Sequence, residues 1–185
     1  MTGEEAVERC LDALNAIGAK YMIVGSISSN FYGIPRSTND ADIVIEVAGD
    51  EIAQLRDRLA GVLRLDPQIA FETVGGTTRH LFRVDDSEFV IDVFELGPGP
   101  FDRERFNRRV PAKVGGAPTY LPTAEDVIVQ KIRWRRGKDI DDARDVISVQ
   151  HPNLDWPYIL KWADEHGSRD VLDSMCQELG ITPSG

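Results

Sequence analysis

The sequence predicts an α+β fold, a mixed α/β sheet followed by a helical C-terminal part. Three observations carry that prediction. Short apolar segments rich in β-branched residues, such as Lys20 to Val24 and Asp40 to Val47, alternate with stretches of helical spacing. Two strand-like segments joined at Asp85-Asp86-Ser87 read as a hairpin. Beyond Thr123 the spacing is helical almost to the end. The expected organisation is a core over residues 1–121 and a helical part over 122–185, packed together as one compact domain.

Thr2 with Glu5 forms a capping-box pattern, and Ala6, Cys10, Leu11, Leu14 and Ile17 follow at helical spacing until Gly18. Lys20 to Val24 is a buried strand, Gly25 to Phe31 a turn with a short helix, and Asp40 to Val47 a second strand. Asp50 is placed to cap a helix carrying Ile52, Leu55, Leu59 and Leu63. Thr77 to Val84 and Glu88 to Leu96 are the arms of the hairpin, and Gly97-Pro98-Gly99-Pro100 breaks the chain. A short hairpin turning at Gly115-Gly116 is expected within Val110 to Leu121. Thr123, with Asp126 three residues on, caps a helix through Val127, Ile128, Ile132 and Trp134. Ile140 to Val149 and an amphipathic tail from Trp156 to Leu179 are helical.

Composition narrows the function. Hydrophobic content of 42% and charged content of 28% over 185 residues are those of a soluble globular protein. No apolar run approaches the roughly 20 residues of a membrane span, and the N-terminus lacks the pattern of a secretory signal. Cys10 and Cys176 are too far apart in sequence and too few for a disulfide framework, so a cytoplasmic location is expected. A net charge of −10 argues against a surface that coats a polyanion. The basic residues are concentrated: Lys131, Arg133, Arg135, Arg136 and Lys138 in one window, Arg103, Arg105, Arg108 and Arg109 in another. Such patches on an acidic body suit a phosphate-bearing ligand at one site, though a basic window is often only a solvated helix face.

The chemistry is concentrated around Gly25-Ser26 and Asp40-Ala41-Asp42. Side chains two apart on a strand share a face, so Asp40 and Asp42 point one way while Ile43 and Ile45 point the other. Asp92 interrupts the otherwise apolar strand Phe89-Val90-Ile91-Asp92-Val93-Phe94. A buried lone carboxylate is costly, so Asp92 is expected to be paired, protonated or metal-bound. If its strand neighbours the first acidic one, three carboxylates meet, and divalent cations relieve their repulsion. Two Mg²⁺ ions about 4 Å apart suit such a site. A lone Asp at a strand end is usually a turn former, but a metal site explains all three acids at once.

The string Gly25-Ser26, Tyr32-Gly33, Arg36, Thr38 and Asp40-Ala41-Asp42 resembles the nucleotidyltransferase superfamily of the DNA polymerase beta type. Within it, the string is most similar to the AbiEii-like branch of minimal nucleotidyltransferases. That branch often has Gly where this chain has Ser26, which here follows the wider superfamily. The resemblance is specific over about Tyr21 to Val47 and weaker through Asp92 and the Lys131 segment. It implies the nucleotidyltransferase fold. It also implies phosphate contacts from Gly25 and Ser26, Mg²⁺ on Asp40 and Asp42, and Asp92 as third ligand and general base. Lys131 matches a Lys on a later helix, with Asp139, Asp141, Asp142 and Asp145 beyond it, and Arg36 is a further nucleotide-binding candidate.

The implied reaction is Mg²⁺-dependent transfer of a nucleoside monophosphate from an NTP, ATP among them, to a hydroxyl acceptor, with release of pyrophosphate. RNA, a protein side chain and a small molecule remain open as acceptors, and a partner protein of a toxin–antitoxin system is a further implied partner. The alternatives are a non-catalytic nucleotide-binding or antitoxin-like module and a phosphohydrolase using water as acceptor. Thr38 is expected to shape the loop, Tyr32 to pack in the core, and Glu95 to face away from Asp92. His80, His151 and His166 lack metal-ligand spacing, and no Gly-x-Ser-x-Gly elbow is present. Gly75-Gly76-Thr77-Thr78 and Gly137-Lys138-Asp139 fail the P-loop pattern.

Overall fold

The computed structural model describes residues 1–73 and 76–183; Gly75 of the Gly75-Gly76 pair lies outside them. In chain order the elements are α1 (Gly3–Ala16), β1 (Lys20–Val24), α2 (Gly25–Tyr32), β2 (Asp40–Glu46), α3 (Glu51–Leu59), β3 (Leu63–Leu65), β4 (Ala70–Glu72), β5 (Thr77–Val84) and β6 (Val90–Glu95). There follow α4 (Pro100–Asn107), β7 (Val110–Val114), β8 (Ala117–Leu121), α5 (Ala124–Trp134), α6 (Gly137–Gln150), a 3₁₀ turn (His151–Asn153), α7 (Trp156–Glu165) and α8 (Arg169–Leu179). The chain forms two compact units, Met1–Ile27 with Ser37–Pro122, and Ser28–Arg36 with Thr123–Gly185.

The first unit is built on a mixed sheet in the order β1-β2-β6-β5-β3, with β4 also on β5. β2 and β6 run parallel, whereas β1 with β2, and β5 with both β6 and β3, run antiparallel. Alternation divides the strands between two environments. Tyr21, Ile23, Ala41, Ile43, Ile45, Phe82, Ile91 and Val93 join the main core with α1 and α3. On the opposite face Met22, Val24 and Val44 pack with Phe106 of α4. β7 and β8 pair as the expected hairpin at Gly115-Gly116.

Helix α1 begins with the full Thr2/Glu5 capping box and ends before Gly18 at φ +67°. The helix after Asp50 does not reach Leu63 as expected: it stops at Leu59, Gly61 takes φ +81°, and Leu63 pairs with Val84 in the sheet. Asp50 makes no cap bond to the backbone; its carboxylate accepts from Gln54 Nε2 at 2.6 Å. The break at Gly97–Pro100 is followed by a helix that the sequence reading missed, α4, which has Pro100 in its first turn.

The second unit has an apolar interior contributed by α5, α6, α7 and α8, including Ile128, Ile132, Val146, Ile147, Ile159, Trp162 and Leu172. Thr123 caps α5 by accepting from the Asp126 amide, as expected. Arg135 turns left-handed, at φ +59°, and separates α5 from α6. Tyr158 donates to the buried Asp126 at 2.6 Å, which ties α7 to the start of α5. The tail is two helices, parted at Gly167, where φ is +63°. Among the described residues no helix is long and apolar enough to cross a membrane.

Candidate functional site

The carboxylates predicted to act together lie on one face of the first unit's sheet. β2 and β6 are parallel neighbours, with Asp42 and Asp92 as direct partners and Asp40 opposite Val90. Register partners share a face, and so do residues two apart, so Asp40, Asp42 and Asp92 stand on the side where Val44 meets Phe106. The partner of Asp42 on its other side is Val24, and the next residue, Gly25, opens α2.

Gly25 is required at that corner for two reasons. Its φ is +64°, and a Cβ built on it would lie 1.9 Å from Asp42 Oδ2. The Asp42 carboxylate therefore rests against Gly25, at the first turn of α2. Thr38 orients the neighbouring acid, its hydroxyl donating to Asp40 Oδ1 at 2.5 Å. That bond gives the loop-shaping role expected of Thr38 a definite partner.

Asp92 is buried and gripped from the next strand. Arg79 of β5 donates through Nε to Oδ1 at 2.8 Å and through Nη2 to Oδ2 at 3.1 Å. Burial pushes the Asp92 carboxyl above its ordinary value, the hydrogen bonds and charge of Arg79 pull it back, and the charge of Asp40 pushes it up again. Among the described residues no three His, Cys, Asp or Glu side chains close into a set that holds a metal ion. In chemistry the three acids suit Mg²⁺, as hard oxygen donors from adjacent strands on one face. On the opposite face His80 Nε2 and Glu95 Oε1 are 2.9 Å apart, so Glu95 does turn away from Asp92.

Arg36 and Lys131 meet in the second unit. Asp142 Oδ2 accepts from Lys131 Nζ at 2.7 Å, Arg36 Nη2 at 3.0 Å and Ser29 Oγ at 3.2 Å, and Oδ1 accepts from Arg36 Nε at 2.7 Å. Lys131 also donates to Asp139 at 3.2 Å, and Arg136 Nε donates to Asp139 at 2.5 Å. Lys131 is 3% exposed, Asp139 0% and Asp142 4%. Burial would raise the Asp142 carboxyl, but the bonds and charges of Arg36 and Lys131 outweigh it and hold it at about 2. The backbone of the Arg36 loop is fixed by Asn30, which accepts from the Arg36 amide at 3.1 Å and donates to its carbonyl at 2.7 Å. Tyr32 is half-buried, edge-on to Phe31, its hydroxyl pushed up to about 12 by burial and by Glu125 and Asp126.

Several residues that matter were not singled out from sequence. Arg79 shares the face of Asp92 once the hairpin register is fixed, and that register was the only available signal. Asp139 and Asp142 stood among four undistinguished acids; three and six residues after Arg136, they alone are buried. The basic windows are largely engaged within the fold. Arg135 bonds Asp170 at 3.0 Å and the Gly167 carbonyl, Arg105 pairs with Asp102 at 3.3 Å, and Arg109 lies over Phe106 and Tyr120.

No family model matches the chain, and no curated protein matches it significantly. Solved structures do match. The solution structure of the antibiotic-resistance factor ANT(2'')-Ia superposes with a TM-score of 0.62 at 13% identity, covering 95% of this chain and 96% of that one. A nucleotidyltransferase-like protein from Paracoccidioides brasiliensis gives 0.56 at 18%, covering 95% and 92%. The fold is the nucleotidyltransferase fold. The lincosamide antibiotic adenylyltransferase LnuA, solved with lincomycin bound, shares it with a TM-score of 0.52 at 11% identity, covering 79% of this chain and 97% of that one. The nucleotidyltransferase fold thus spans both units of the chain.

Proposed function

We propose that this protein is a nucleotidyltransferase of the DNA polymerase beta type, transferring a nucleoside monophosphate from an NTP to a hydroxyl group. The observation that carries the reading is the in-register pair Asp42–Asp92, with Asp40 on the same face and Gly25 opening a helix beside it. Asp40, Asp42 and Asp92 would hold Mg²⁺, which supplies charge neutralisation for the triphosphate and the attacking oxygen. The amides of Gly25 and Ser26 at the start of α2 receive the β- and γ-phosphates, as a helix N-terminus favours an anion. Asp92 takes the proton of the acceptor hydroxyl. The hydroxyl oxygen bonds to the α-phosphorus as the bond to the bridging oxygen breaks, and pyrophosphate leaves with that oxygen.

A small-molecule hydroxyl is the acceptor class we favour over RNA or protein. The net charge of −10 disfavours a long polyanion. ANT(2'')-Ia, solved with adenylyl-2''-tobramycin, and LnuA, with lincomycin, share the fold. Assignment to the AbiEii-like branch, with its toxin–antitoxin partner, rests only on the string from Tyr32 to Asp42. Incubation with Mg²⁺, α-labelled NTPs and a cell extract tests the reading. Label is expected in a small-molecule fraction together with pyrophosphate; release of inorganic phosphate alone would make the protein a hydrolase instead.

A further inference from the structure

Each acid of the catalytic face has its own partner: Asp40 has Thr38, Asp42 rests against Gly25, and Asp92 has Arg79. The Arg79 pairing opposes cation binding, because it sets a full positive charge against both oxygens of Asp92, at 2.8 and 3.1 Å. We infer that Arg79 is a latch on Asp92, so that the three carboxylates take up a divalent cation together only when the guanidinium lets go. The inference rests on the function proposed above.

The fold provides for both states of such a latch. The Asp92 side chain is 9% exposed and that of Arg79 38%, so the carboxylate stays in place while the guanidinium has solvent to enter. Arg79 lies diagonally across the β5–β6 ladder from Asp92, since Leu81 is the register partner of Asp92 and Phe94 that of Arg79. A long side chain reaches across that diagonal, and rotamer changes alone withdraw it without disturbing the strands. An arginine does not deprotonate in the working range, so the latch opens by displacement. Arriving cations with their nucleotide provide the competing charge, which couples assembly of the site to substrate arrival.

A second possibility for Arg79, an orienting support behind a metal ligand, makes the opposite prediction. Loss of such a support weakens metal affinity by about 10–100-fold, whereas loss of a latch strengthens it. Mn²⁺ titration of the nucleotide-free protein by electron paramagnetic resonance, which requires no turnover, separates the two. Arg79→Met is expected to bind Mn²⁺ at least about fivefold more tightly than wild type, the equivalent of one half-exposed ion pair removed. Asp92→Asn added to it should abolish the gain. Arg79→Lys, which keeps the charge but not the two-point grip, should show a smaller gain and carries the test if the Met variant does not fold. Unchanged or weaker affinity in a folded Arg79 variant overturns the latch while leaving the proposed function standing. Absence in every variant of any Mn²⁺ binding that Asp42→Asn removes overturns the proposed function, and the latch with it.

Discussion

Two buried aspartates, one in each unit, are set in opposite electrostatic states. Asp142 accepts hydrogen bonds from Arg36, Lys131 and Ser29 and is held at about 2, well below the ordinary carboxylate range. Asp92 has one arginine, shares its face with Asp40 and Asp42, and is raised by its burial. Surplus cationic partners favour the charged form of a carboxylate, whereas burial and acidic neighbours disfavour it. The ionic cluster of the second unit is thus expected to anchor its helices, and the carboxylate face of the first to cost stability.

The largest stability effect is expected in the anchor. Lys131→Met leaves Asp139 and Asp142 buried without their shared cation and should cost about 3–5 kcal/mol, measured by denaturant unfolding. A loss below about 1 kcal/mol would remove the cluster from its structural role. A pH series comes next. Because the folded pKa of Asp142 is depressed, its contribution of about 2 kcal/mol is present above the unfolded value near 4 and is lost as pH falls toward about 2. Asp142→Asn should flatten that part of the curve. The smallest effect has the opposite sign. Asp92→Asn removes a desolvated charge and should raise Tm slightly, while slowing the chemical step. A fall in Tm would show that the Arg79 pair outweighs the burial of Asp92.

Much of the fold was legible because its signals are local. The Thr2/Glu5 box, the Thr123 cap and the turns at Asp85-Asp86-Ser87 and Gly115-Gly116 each act within a few residues. The failures have physical causes as well. Leu63 continued a helical spacing, but pairing with Val84 overrode it. α4 was hidden by its own start signal, since Gly99-Pro100 punctuates a chain whether a helix follows or not. In the site, strand alternation placed Asp40 with Asp42, but only the parallel register of β2 and β6 puts Asp92 beside Asp42. Arg79 and Asp142 escaped notice because their roles come from partners 13 and 106 residues away.

Pyrophosphate release tests the central claim most directly. With Mg²⁺, an NTP and an acceptor fraction, wild type should release pyrophosphate, and Asp42→Asn should lose about 10³-fold, several kcal/mol of barrier, while keeping its fold by circular dichroism. Wild-type rates in a folded Asp42→Asn protein would contradict the account.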